Sequence, residues 1–98
     1  MAVRKAIRES SAQELTKFRD AISRMKALSD ERGYSHFAGI HGLLLPSYCQ
    51  HGTLLFLPWH RAYLYFFELA LQDQASDVGI PYWDWMRRKD QSAIIGLI

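Results

Sequence analysis

IHGLLLPSYCQHGTLLFLPWHRAYLYFFELAL, residues 40–71, carries three of the chain's four histidines, its single cysteine, and an aromatic run that opens at the third of those histidines. Imidazole binds metals as a neutral nitrogen donor at physiological pH, which is why copper, zinc and iron centres so often use it. His41, His51 and His60, so close together in 98 residues, point to a metal site.

Outward from that stretch, Pro58 suits the first turn of a helix, where its missing N–H costs nothing. Behind it His60, Leu64, Phe67 and Leu71 fall at steps of four, three and four. A helix over Pro58–Gln74 would therefore turn the imidazole toward the same core face as the most apolar residues. A histidine there has to be ligated or hydrogen-bonded, because an unpartnered buried polar nitrogen costs about 1–3 kcal/mol. Arg61 and Glu68 stand two helical turns apart on one face and are read as structural, in pairing or in hydrogen bonds behind the site. Upstream, Phe37, Ile40, His41 and Leu44 keep a helical spacing in spite of Gly39 and Gly42. That predicts a short helix over Tyr34–Leu45 with His41 near its C-terminal end. Pro46 and Ser47 break the pattern, and Ser47–Leu57 reads as a loop bearing Cys49 and His51.

At the other end, Leu15, Phe18, Ile22 and Met25 form one apolar stripe. Ser11 with Glu14 three residues on has the form of a capping box, so a first helix is expected over Ser11–Leu28, stopped by the polar run before Gly33. Gly79 and Pro81 end the helical region, and PYWDW is an extended or turning segment. Trp59, Trp83 and Trp85 are read as core aromatics. The fold class is all-α, part of an antiparallel helical bundle whose core receives His41 and His60.

With 49% hydrophobic and 13% aromatic residues the chain can build one small core, and residues 1–98 are expected to form a single domain. The net charge is +2. Its basic clusters, Arg4, Lys5, Arg8 and Arg87, Arg88, Lys89, are not interleaved with aromatics, so they read as solvated surface rather than a nucleic-acid interface. No window has the apolar length of a membrane span, and MAVRKAIRES lacks the apolar run of a secretory signal. A lone cysteine fits a reducing compartment or a cysteine used for chemistry, so a cytoplasmic address is expected.

The histidines are separated by nine and eight residues. Ligands from a helix end, a loop and a second helix can approach one ion from three directions. Three nitrogens leave an open coordination position for a small molecule. Spacing alone admits zinc, iron or copper.

The sequence around the third histidine narrows the choice. His51, then Phe56, Leu57, Pro58, Trp59, His60, Arg61, Leu64 and Glu68 specify nine positions of an eighteen-residue stretch, and this resembles the first copper-site signature of the type-3 copper family, the tyrosinases, catechol oxidases and molluscan-type haemocyanins. His41 followed by Gly42 stands where that family places its first ligand, and Ile80–Trp85, IPYWDW, resembles the aromatic segment that follows the site. The resemblance covers Tyr34–Trp85, about half of the chain. It implies that His41, His51 and His60 ligate the first copper, CuA, of a dinuclear centre. It also implies that Cys49 forms a thioether with the ring of His51, against the plainer reading of a free thiol. His36, five residues before His41, is read as an ordinary surface or core histidine.

A complete centre in this family has six ligand histidines, and this chain has four histidines in all. The resemblance therefore implies a phenolic substrate and dioxygen as reactants, with the second copper supplied from outside these residues. Three arrangements follow. A second polypeptide or a C-terminal half carries CuB in a polyphenol oxidase; two copies form a symmetric homodimer with one dicopper site; or the chain is a non-enzymatic copper- or oxygen-binding module.

Overall fold

The computed structural model describes residues 3–42 and 48–86. Three helices, α1 (Ala12–Lys26), α2 (Tyr34–Gly42) and α3 (Phe56–Gln74), follow a short 3-10 turn at Ile7–Glu9. Among the described residues the only β-structure is an isolated parallel bridge, Ala6 with Tyr82, so the all-α expectation holds.

α1 begins as its sequence requires. The Ser11 side chain accepts from the Glu14 N–H at 3.1 Å, and the Glu14 carboxylate accepts from the Ser11 N–H at 3.3 Å. This reciprocal box satisfies two N–H groups that the first turn leaves open. Lys5 at 3.1 Å from the same carboxylate helps to hold Glu14 below the usual carboxylate range. The helix closes two residues earlier than expected, at Lys26, where the Ala27 N–H folds back on Arg24. The connection to α2 turns at Gly33. A Cβ there would collide with the carbonyl of Leu28, so only glycine lets the chain pass so close to its own backbone. The expected continuation of α2 from Leu43 to Leu45 lies outside the described residues, as do Pro46 and Ser47.

α3 starts at Phe56, two residues before the expected Pro58. The Trp59 N–H makes the first helical bond, to Leu55 at 2.9 Å. Pro58 therefore occupies the third position, still within the turn whose N–H groups have no helical partner.

The core is built from Ala21 and Met25 of α1, Leu71 of α3 and Val78 beyond it, with Phe18, Ile22, Phe37, Phe67, Ala70, Ala75 and Ile80 packed around them. The C-terminal ends of α1 and α3 lie together, and Arg24 donates to the Gln74 carbonyl at 2.7 Å. Leu71 is fully buried, but Leu64, expected on the same core face, is 39% exposed. The reason is reach: α1 covers only the C-terminal half of α3. Trp83 and Trp85 are likewise not core residues, at 43% and 73% exposed, and Trp59 is half-buried.

Glu68 is the one buried charged side chain among the described residues. It does not pair with Arg61, which is exposed. Its carboxylate accepts from Arg4 Nε at 2.9 Å and from the backbone N–H of Ile80 at 2.9 Å. The N-terminal segment and the PYWDW segment are then joined by Ile7 N–H to Tyr82 and Tyr82 N–H to Lys5, at 2.9 and 3.0 Å. Arg4, expected as solvated surface, is thus part of the framework. Replacing Glu68 by alanine should lower the unfolding free energy by about 1.5–3 kcal/mol, the range for hydrogen bonds to charged groups; urea denaturation of the two proteins measures it.

Candidate metal centre

His41 stands in the last turn of α2, His60 in the second turn of α3, and Cys49 and His51 on the segment that joins the two helices. Residues from three places in the chain thus arrive together. The ring centroids of His41, His51 and His60 are 5.0–5.6 Å apart. One donor atom from each of these residues and from Cys49 lies within 4.8 Å of all the others. His36 stays outside the cluster, exposed, with its ring edge against Phe37.

The orientation of His60 follows from its own helix. Its Nδ1 lies 2.7 Å from the carbonyl of Phe56, one turn back. A carbonyl only accepts, so Nδ1 carries the proton and Nε2 keeps its lone pair. That nitrogen faces the cluster, 3.3 Å from Cys49 Sγ. A metal-binding histidine is commonly fixed in this way, with one nitrogen tied to a carbonyl and the other free for the ion. On the joining segment, Cys49 Sγ lies 2.6 Å from His51 Nε2. Gly52 follows with φ +69, a left-handed conformation that glycine adopts without strain and that turns the chain toward α3. Loss of solvent pushes the half-buried Cys49 thiol above its usual range.

One residue that holds the site together was not singled out from the sequence. Tyr63 donates its hydroxyl to the Phe37 carbonyl at 2.7 Å, tying α3 to α2 one turn before His41. Its ring stacks on Trp59 at 5.3 Å and lies 5.7 Å from the His41 ring. The available signal was its position three residues after His60, on an adjoining face of the same helix. Loss of solvent raises the Tyr63 phenol above its ordinary value of 10.0, with Tyr34 and Cys49 adding to the shift. The sign is destabilising at high pH: the unfolded chain releases this proton first, and stability falls as pH rises past the ordinary value. Tyr63→Phe should cost about 1 kcal/mol at about pH 8 by loss of one hydrogen bond, and should flatten the decline above about pH 10. Urea unfolding of both proteins across that range tests both effects.

Three nitrogens and a sulfur are a soft-to-borderline donor set. It suits copper or zinc and not a hard ion such as calcium or magnesium. Fold and site together are those of a helical protein whose cluster of three histidines and a cysteine could hold a metal ion. Residues 31–96 match the tyrosinase family model, described as the common central domain of tyrosinase. The chain is 40% identical over 92 residues to "Hemocyanin 1" of Megathura crenulata, covering 85% of this chain and 3% of that protein. It is 38% identical over 96 residues to the tyrosinase of Aspergillus oryzae, covering 85% and 18%. A functional unit of octopus haemocyanin superposes with a TM-score of 0.82 at 33% identity, over 89% of this chain and 25% of that one. The chain belongs to the type-3 copper family, as its N-terminal part, and its cofactor is copper. It spans less than a fifth of either curated relative named here.

Proposed function

We propose that His41, His51 and His60 are the ligands of the first copper, CuA, and that residues 1–98 form one half of an oxidase that converts phenols or catechols to o-quinones with dioxygen. The observation that carries this reading is the convergence of three histidine donors within 4.8 Å, two of them on exposed rings. The chemistry supplied when copper is bound at both sites is the binding of dioxygen and two-electron oxidation of the substrate. This chain's part is to hold three nitrogens at fixed angles. The Phe56 carbonyl fixes the tautomer of His60, and the Tyr63 hydroxyl fixes the distance between the helices that bear His41 and His60.

A second polypeptide, or a further stretch of the same protein, would bring CuB. Two observations support it. The relatives are far longer than this chain. On α3 and just before it, Leu54, Leu55, Leu57, Tyr65 and Phe66 are all more than half exposed. Such apolar patches mark surfaces that another polypeptide covers. A symmetric homodimer is the alternative source of the second three-histidine set. Oxygen carriage without oxidation is the other reading of the function, favoured by the haemocyanin matches at similar identity to the tyrosinase match.

Native mass together with copper per chain tests the arrangement: one copper per chain in a complex with a second polypeptide is expected, and a dimer of this chain alone would favour the symmetric site. Quinone absorbance with a catechol separates oxidase from carrier. His60→Ala should abolish copper binding, and full copper retention by that variant would refute the ligand assignment.

Cys49 is proposed as a tether for His51 once copper and dioxygen have acted. A C–S bond replaces the S–H and one ring C–H, and dioxygen leaves as hydrogen peroxide with the two electrons and two protons. The tether would remove the freedom that a ligand on a joining segment otherwise has. The mass of copper-treated protein should fall by two hydrogens, in the peptide that contains Cys49 and His51.

A further inference from the structure

The site presents four donors rather than three. We propose that, while its thiol is intact, the chain binds a zinc ion through His41, Cys49, His51 and His60, a closed site in which the sulfur fills the position that oxygen chemistry needs open. The proposal rests on the three histidines being metal ligands, as the functional reading does, but requires neither a second copper nor a partner chain.

Zinc in a structural site takes four ligands in a tetrahedron, with Zn–N about 2.0–2.1 Å and Zn–S about 2.3 Å. Those lengths place neighbouring donors roughly 3.3–3.7 Å apart. Cys49 Sγ and His60 Nε2 already stand at that spacing, 3.3 Å. His51 Nε2, at 2.6 Å from the same sulfur, has to draw back by about an ångström. It sits beside Gly52, whose positive φ marks a turn between Cys49 and α3. The remaining donor, from His41, lies within 4.8 Å of the other three.

The choice of ion follows from the donors. Zinc has no redox chemistry and accepts a mixed nitrogen and sulfur set. Copper together with dioxygen would consume the thiol in the thioether reaction proposed above, so the zinc form is the one that preserves it. On binding, the thiol proton leaves to solvent and the thiolate offsets one of the ion's two charges. The exposed rings of His41 and His51 give the ion its way in. Formation of the thioether would withdraw the sulfur and reopen the fourth position for copper chemistry.

The test uses protein produced without added copper and shown by mass to keep its thiol. Cobalt(II) serves as the spectroscopic probe and zinc as its competitor, in the native sequence, in Cys49→Ser and in His60→Ala. Expected are a single cobalt per chain, a thiolate-to-cobalt charge-transfer band in the near ultraviolet, and displacement of cobalt by zinc. Zinc should also protect Cys49 from a thiol reagent. Cys49→Ser should lose the band and bind about a hundredfold more weakly, the upper end of what even an outer-shell loss costs. Equal affinity in Cys49→Ser with no near-ultraviolet band in the native protein would overturn the fourth ligand and leave the three histidines standing. Undiminished cobalt binding by His60→Ala, or none by the native protein, would overturn both readings.

Discussion

The Glu68 carboxylate, buried on α3, is where three separate lengths of chain are held at once. It accepts from the Arg4 guanidinium, from the Ile80 backbone and thereby positions the parallel contact between residues 5–7 and Tyr82. A charge with so little access to water is stable only when its oxygens are occupied. That requirement fixes how the N-terminal segment and the PYWDW segment lie against α3. With those ends held, Leu71 and Val78 close on Ala21 and Met25, and the C-terminal half of α3 becomes the packed part of the molecule.

The N-terminal half of the same helix has a different neighbourhood. It carries Trp59, His60 and Tyr63, and its contacts run to α2 through the Tyr63 hydroxyl and through the ring contact of Tyr63 with Phe37. Much of its apolar surface stays open to solvent, as Leu57, Leu64 and Tyr65 show. One helix thus joins a packed core to an open metal site. Stability comes from one end, and the histidine donor and the exposed apolar surface lie at the other.

Within the site, rigidity differs from donor to donor. His60 is held by a helix and by a carbonyl of that helix, and His41 by a helix that Tyr63 secures. His51 depends on the joining segment, and the side chain closest to it is the Cys49 sulfur. The least constrained histidine is therefore the one with a sulfur beside it. In either role proposed for it, metal ligand or covalent tether, that sulfur would restrain the donor that needs it most.

Much of this was legible in the sequence. The capping box at Ser11 and Glu14, the helical spacing behind Pro58, the start of α2 at Tyr34, and the signature from His51 to Glu68 all depend on residues near one another along the chain. Local hydrogen bonding and periodicity determine such features before any packing occurs. What the sequence could not determine was which side of α3 is covered. Its apolar residues run almost all round the helix, so their spacing marks Leu64 and Leu71 alike as core, and only the reach of α1 separates them. The partner of Glu68 was hidden for the same reason: Arg4 is 64 residues away, and Arg61 was the only cation within two turns of the same helix. By itself, then, the sequence determined the helices, the histidines and the family. Tertiary structure decided how the four donors meet and which apolar faces remain open, because those depend on contacts between segments that no local pattern encodes.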